Sequence, residues 1–462
     1  MAKTKTFVST VLIALMIGGL AFVGNAHFGS AQSGTNVTGI IASDTSWTQA
    51  NSPYNLIGNV LINSGTTVTI GTGTTLNLNG YFVMVNGSFI IQQGATINME
   101  NAAYILVNGL LSAIGTNANP ISINGGIGFS EIAPLGYYSA IIFSQYSMGR
   151  NEQTSSGSII ENAIINMTSI SVSSSVELAN STFLGQSLEI SGGSPLITDN
   201  VIGNGISITG GSPIILNNAI HFSVTCGGSG EPGTENGSTT FIEDNVISGV
   251  PPQYPGISLG GYSLGNLIIE RNLISTGIYT GNDGIENAMV ENGTVSIINN
   301  TIINNAVGIY ILTGYPGPIS DNNIYDNTLN IKLGESNTID CTNNWWGTTD
   351  QQAINQTIYD FKDDFTMGTV NFVPFLTTPN SEAMPNSNLP IPTPFPTSTQ
   401  SPSASPKVSS ASPSASPSQA EANTASSLPM ELLVTGVAVI VIVAVAIGAF
   451  LLGKRAGSKK HP

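Results

Sequence analysis

The sequence predicts an all-β solenoid, a right-handed single-stranded parallel β-helix of about a dozen coils. Three observations carry this. Only 8% of the 462 residues are charged, Gly numbers 52, and Asn, Ser, Thr and Ile abound. That composition is poor for helices and suits short β-branched strands joined by tight turns. Short apolar runs recur between residues 160 and 346, each behind an asparagine: ENAII, ANSTF, DNVIG, NNAIH, DNVIS, RNLIS, NNTII, NNIYD and NNWWG. Between them lie pieces of alternating polarity such as GISITG and LNIKL, with the period of two that marks a strand.

The asparagines that align are Asn162, Asn180, Asn200, Asn218, Asn245, Asn272, Asn300, Asn323 and Asn344. Their spacing, near 20 residues with insertions, is that of stacked repeats. Asn fits such a column for two reasons. It tolerates the left-handed conformation that a sharp turn requires, and stacked amides bond to the coil above and below. At ~4.8 Å per coil, a dozen coils give a rod of ~55 Å. From Val172 to Ile220 an aliphatic residue recurs every six positions, the period of a left-handed hexapeptide helix. The pattern then stops, and coils of variable length with long insertions suit the right-handed form. Region 33–125 alternates without an asparagine column and reads as an N-terminal cap with the first coils. Residues 126–346 carry the main coils, with loops at 223–240, 249–256 and 277–293. Residues 347–379 close the stack.

The ends indicate the compartment. Lys3 and Lys5 precede an apolar run to Val23 and the small residues Gly24-Asn25-Ala26, so 1–26 reads as a signal peptide. Residues 380–430 are rich in Pro, Ser, Thr and Ala and bury too little to fold, which predicts a disordered stalk. Residues 432–453 hold no charge and are long enough to span a bilayer. Lys454, Arg455, Lys459 and Lys460 follow, placing the 454–462 tail in the cytoplasm. The expectation is a single-pass cell-membrane protein with its ectodomain outside. All but one of the 27 acidic residues lie in that ectodomain, against only Arg150, Arg271, Lys332, Lys362 and Lys407. Such a surface repels nucleic acid. Cys226 and Cys341, exported together, invite a disulfide. The repeat places them about five coils, ~24 Å, apart, beyond the ~7 Å that a bridge spans. Only a long excursion of the loop carrying Cys226 would close it.

Two of the three tryptophans, Trp345 and Trp346, sit side by side after the final asparagine. A last coil has no successor, and its core would face water. The two rings are expected to cover that end while Gly347 turns the chain away, and Trp47 serves the opposite cap. An aromatic platform for sugars is the alternative use. NNWWGTTD, followed by IYDFKDDF and VNFVPFL, resembles the closing segment of secreted and cell-surface right-handed parallel β-helix repeat proteins of prokaryotes, in the pectin-lyase-like superfamily. ILVNGLLSAIGTNANPISING resembles their opening coils, and the likeness covers about residues 44–380. The resemblance implies the fold and little about activity, since most such proteins are surface proteins without a known reaction. The superfamily also holds pectate lyases, polygalacturonases and carbohydrate-binding proteins. A lyase of that kind implies an Arg base with further Lys or Arg for uronates, and the well-defined coils offer Arg271 and Lys332 alone. A polygalacturonase implies clustered Asp, Gly-His-Gly and Arg-x-Lys. His27, His221 and His461 form no such motif, and Asp363-Asp364 lies in the closing segment.

The sharpest constellation comes from aligning FIEDNVI with IIERNLI. Glu243 and Glu270 fall at one position on successive coils, ~5 Å apart, with Asp244 and Arg271 beside them. Two carboxyls at that distance suit a retaining glycosidase. They equally suit a bound cation or a solvated turn neutralised by Arg271. In GNDGIENAMVENG, Asp283, Glu286 and Glu291 offer oxygen ligands for Ca2+, although the spacing of a known calcium loop is absent. No cofactor is required, and Ca2+ is the one the sequence admits. Glycosylation sequons fall at Asn36, Asn86, Asn166, Asn180, Asn236, Asn292, Asn299 and Asn355. The functional expectation is a membrane-anchored, non-catalytic surface protein for adhesion, carbohydrate binding or envelope structure. Its partners are the membrane and polysaccharide or other envelope components. The alternative is an anchored polysaccharide-degrading enzyme acting through Glu243 and Glu270.

Overall fold

Each coil is made of three short strands, and alternation within each strand decides what goes inside. The structure, a computed structural model, describes residues 34–386 apart from 101–102, 127–138, 152–155, 167, 186, 228–237, 251–253, 261–264, 276–282, 288–293 and 314–316. The signal peptide, the span, the tail and the stalk beyond Asn386 lie outside the described residues. Every named strand pairs in parallel with the next coil. A twelve-stranded sheet runs from Thr45–Trp47 to Ile319–Ser320 with one strand per coil, which fixes the dozen. A 25-stranded sheet forms two ladders joined at Tyr54–Ile62, and Ile339–Asp340 pairs separately with Val370–Asn371. The Tyr54–Asn55 end of that strand pairs into the first ladder and the Val60–Ile62 end into the second. The fold is a parallel β-helix.

One inward column of the twelve-stranded sheet reads Trp47, Ile70, Ile91, Ala113, Ile160, Leu178, Ile197, Ile215, Ile242, Ile269, Ile297 and Ile319. None is more than 4% exposed. Burying one such aliphatic side chain contributes ~1.5–3 kcal/mol. The six-residue aliphatic period proves to be only partly a core signal. Val172, Leu178, Ile190, Ile202, Ile208 and Ile220 point inward, but Leu184 is 45% exposed and Phe183 takes its place inside. The period arises because coils of 18 or 19 residues here divide over three sides.

The asparagine ladder is real and needs one correction. Its rungs are Asn200, Asn218, Asn245, Asn272, Asn300, Asn322 and Asn344, all 0% exposed. Asn323, expected on the ladder, is not a rung. From Asn218 onward, each rung's Oδ1 accepts from both the backbone N–H and the Nδ2–H of the asparagine one coil earlier, as Asn272 does from Asn245 at 3.0 Å. Each Nδ2 also donates to main-chain carbonyls, that of Asn272 to Ile242 at 2.7 Å and Glu270 at 3.0 Å. The left-handed residue is not the rung but its predecessor: Asp199, Asn217, Asp244, Arg271, Asn299, Asp321 and Asn343 all have φ between 52° and 59°. That geometry sets the register, so in Asp321-Asn322-Asn323 the rung is Asn322, and Asn323 opens the strand Asn323–Tyr325. Asn162 and Asn180 also belong to the left-handed position. Ser181 fills the rung there, taking the N–H of Ala163 at 3.0 Å and donating its own to Asn200 at 2.9 Å.

A second asparagine column overturns the expectation that the first coils have none. Asn36, Asn55, Asn77, Asn98, Asn124 and Asn166 stand in register across six successive strands of the first ladder. Their amides are linked between Asn55 and Asn77 (2.8 Å), Asn77 and Asn98 (2.8 Å), and Asn98 and Asn124 (3.1 Å). They alternate with the inward Leu76, Ile97 and Ile123, so the column lies on the outer face.

The caps are built on the tryptophans. Trp47 stacks on Tyr54 at 5.3 Å. Trp346 is 3% exposed and meets Phe372 edge-on at 6.4 Å, and Phe372 stacks on Phe375. Trp345 is half-buried. Gly347 has φ 84°, and a Cβ there would lie 2.8 Å from the Cβ of Tyr325, so only glycine makes this exit. The helix Gln351–Gln356 starts on Asp350, whose carboxylate caps the Gln352 and Ala353 N–H groups.

Both cysteines are unpaired and buried. Cys226 is not on a loop excursion but in the strand Val224–Cys226, inside the core between Ile208 and Leu259. Burial pushes its thiol up to about 12. Burial, with Asp340 adding to it, raises Cys341 as well. Only the thiolate reacts, so a maleimide should label neither cysteine in the folded chain and both in urea. Stoichiometric labelling without denaturant would contradict this packing.

Candidate functional site

Glu243 and Glu270 end the neighbouring strands Thr239–Glu243 and Asn266–Glu270 and stand directly in register. Arg271 comes after Glu270 at the left-handed position, one coil after Asp244. Its guanidinium is surrounded by three carboxylates. Nη2 lies 3.2 Å from Glu243 and 3.0 Å from Asp244, and Nη1 lies 2.5 Å from Glu270. Nε donates to both oxygens of Asp244 at 3.2 Å. Glu243, Glu270 and Arg271 are about a quarter exposed, while the Asp244 side chain is 7% exposed. The fold thus brings these four residues together as expected, and places a cation between the two glutamates.

Burial raises the Glu243 carboxyl above its ordinary value, opposed by the charge of Arg271 and reinforced by Glu270 and Asp244. A carboxyl raised in the folded state contributes stability that is present below pH 4.5 and lost as pH rises through its folded value. Arg271 is raised first by its hydrogen bond to Asp244, so the ion cluster holds its positive member firmly.

The second acidic cluster does not assemble as a loop. Asp283 and Glu286 lie in a strand, Asp283–Asn287, paired with Ile257–Leu259 and Val307–Ile311. Glu291 lies outside the described residues. Among the described residues, no group of three or more His, Cys, Asp or Glu is placed to hold a metal ion. Asp363 and Lys362 belong to a turn built on buried Asp360, which accepts the Val370 N–H at 3.1 Å.

Of the sequons, Asn36, Asn86, Asn166 and Asn180 are exposed and Asn355 is half-buried on the closing helix. Asn236 and Asn292 lie outside the described residues. Asn299 is engaged at both amide atoms, donating to Glu270 at 3.3 Å and accepting from Asn380 at 3.0 Å.

That last contact belongs to a feature that sequence reasoning missed. Residues 380–386, assigned by composition to the stalk, lie on the coils. The chain passes the last rung, where Leu376 N–H donates to Asn344 at 3.0 Å. It then runs back along the turn face past Asn323 and Thr301 to Asp244, which accepts the Asn386 N–H at 2.9 Å. The only sequence signals were the asparagines of PNSEAMPN and the absence of the Ser-Pro repeats found further along.

No protein-family model matches the chain, no curated protein is similar to it and no solved structure matches it.

Proposed function

We propose that this chain is a membrane-anchored surface protein whose β-helix is non-catalytic and binds polysaccharide or other envelope components. The observation that carries the reading is Arg271, ion-paired at once with Glu243 and Glu270. A nucleophile and a general acid need one carboxylate free and the other protonated. A guanidinium bonded to both leaves neither carboxylate free and fills the space a glycosidic oxygen would need. The outer column Asn55, Asn77, Asn98 and Asn124 adds a neutral, flat and regular face. Asn77, Asn98 and Asn124 each spend one amide donor on the preceding neighbour and retain another for a hydroxyl-rich polymer. The anchor and the exported ectodomain are read from the two chain ends.

The test uses the full-length chain in detergent micelles, incubated with neutral and acidic polysaccharides with and without Ca2+. Binding and newly formed chain ends are recorded in the same wells. The expected outcome is binding to a neutral polymer without new ends, unchanged by Glu270→Gln. New chain ends that disappear in Glu270→Gln would overturn the reading in favour of a surface glycosidase.

A further inference from the structure

Residues 380–386 are held mainly through their backbone. The side-chain amide of Asn323 pairs with residue 380 as a strand would, its Oδ1 accepting the N–H at 2.8 Å and its Nδ2 donating to the carbonyl at 2.9 Å. The Thr301 hydroxyl donates to the Ala383 carbonyl, and Asp244 accepts the Asn386 N–H. Backbone recognition of this kind tolerates many sequences. Two positions restrict it. The Asn380 Nδ2 donates to Asn299 and, at 2.6 Å, to the Asp321 carbonyl. Ala383 is 0% exposed, which leaves no room for a longer side chain. The receiving groups belong to the left-handed turn residues Asp244, Asn299 and Asp321 and to Thr301 and Asn323, which open the strands that follow.

We infer that this turn face is a docking groove for a peptide that turns at an asparagine and carries a small residue three positions later, as Asn380–Ala383 does with its Ala383 N–H donating to the Asn380 carbonyl at 3.3 Å. In the present structure it is filled in cis by the chain's own Asn380-Ser-Glu-Ala383. The same sequence offered in trans enters once the cis segment is displaced. A tethered segment competes at an effective concentration near millimolar, which keeps the groove closed to dilute peptide in the native chain. Docking in the groove also engages the Asn299 sequon at both its asparagine and Thr301, so a glycan there and an occupied groove exclude one another.

The experiment uses the full-length chain in micelles and a fluorescent peptide of residues 377–388 as the probe. Ala383→Arg places a long cation where no space exists and should release the strap. That variant is expected to bind the peptide saturably and at least about tenfold more tightly than the native chain. Asn380→Ala, which removes two hydrogen bonds without adding bulk, should do so to a smaller degree. Adding Asn323→Ala to Ala383→Arg should abolish binding, as should the Ala383→Arg change within the peptide. Unchanged far-ultraviolet circular dichroism and melting of the coils show that the rod is intact. The inference is overturned if hydrogen exchange at residues 380–386 stays protected in Ala383→Arg. It is equally overturned if the strap is released and the peptide binds no better than to the native chain.

Discussion

Replacing Asn272 by Ala is expected to destabilise the central coils by about 4 kcal/mol, among the largest single-site effects in the rod. The amide accepts two hydrogen bonds from Asn245 and donates to Ile242, Glu270 and Asn300, all at a site with no exposure. Alanine orphans the Asn245 N–H in a dry interior, takes the amide donor away from the Ile242 and Glu270 carbonyls, at roughly 1–3 kcal/mol for each buried group left unpaired, and leaves a void besides. In a solenoid each coil is supported only by its neighbours, so the loss should appear as a local weak point. Urea titration with hydrogen exchange would locate it between the rungs Asn245 and Asn300. The outer column supplies the control. Asn77→Ala removes bonds of similar length from a half-exposed face, where water replaces them, and should cost about 1 kcal/mol or less. Equal losses at the two sites would mean that the ladder is not held by its buried amides.

Trp346→Ala should cost about 3–5 kcal/mol, the usual range for removing a buried large ring, and should fray the stack from its closing end. Trp346→Phe separates covering from polar bonding. The Trp346 indole N–H is buried without a hydrogen-bond partner among the described residues, so phenylalanine discards an unsatisfied donor and keeps most of the ring. Its cost should stay below about 1.5 kcal/mol, with a melting temperature close to native. If Phe proves as damaging as Ala, the ring's hydrogen bonding rather than its area closes the rod. Trp345→Ala, at the half-buried neighbour, should fall well below Trp346→Ala.

The elements legible in the sequence were those set by composition and period. Alternating strands such as LNIKL, the dozen coils, the tryptophans at the two ends and the Glu243–Glu270 register all depend on side chains whose direction is fixed by pleating. Asn323 was misplaced because a column of asparagines can be aligned by either member of a pair, and only the left-handed φ of Asp321 decides between them. The column through Asn77 escaped notice because its members share no motif of the kind that marks the inner ladder: Asn55-Leu-Ile, Asn77-Leu-Asn, Asn98-Met-Glu. It becomes visible only when strands are stacked in register. Asp283 and Glu286 looked like an insertion because acidic and glycine residues dominate the segment around the buried Ile285. The strap was illegible for a different reason. Its stability comes from acceptors and donors far away in sequence, and nothing in PNSEAMPN announces Asn323 or Asp244.

The course of that strap has a mechanical consequence. The last described residue, Asn386, lies not at the tip closed by Trp346 but on the flank, beside Asp244. Tension applied beyond Asn386 therefore arrives as an off-axis load on a lever, and meets the contacts one after another, Asn386 before Ala383 and Ala383 before Asn380. Bonds broken in sequence yield at far lower force than bonds sheared together. Seven residues drawn straight supply up to ~25 Å of extra reach. The attachment behaves as a fuse with slack, giving way gently while the coils, locked by their internal amides, carry no strain.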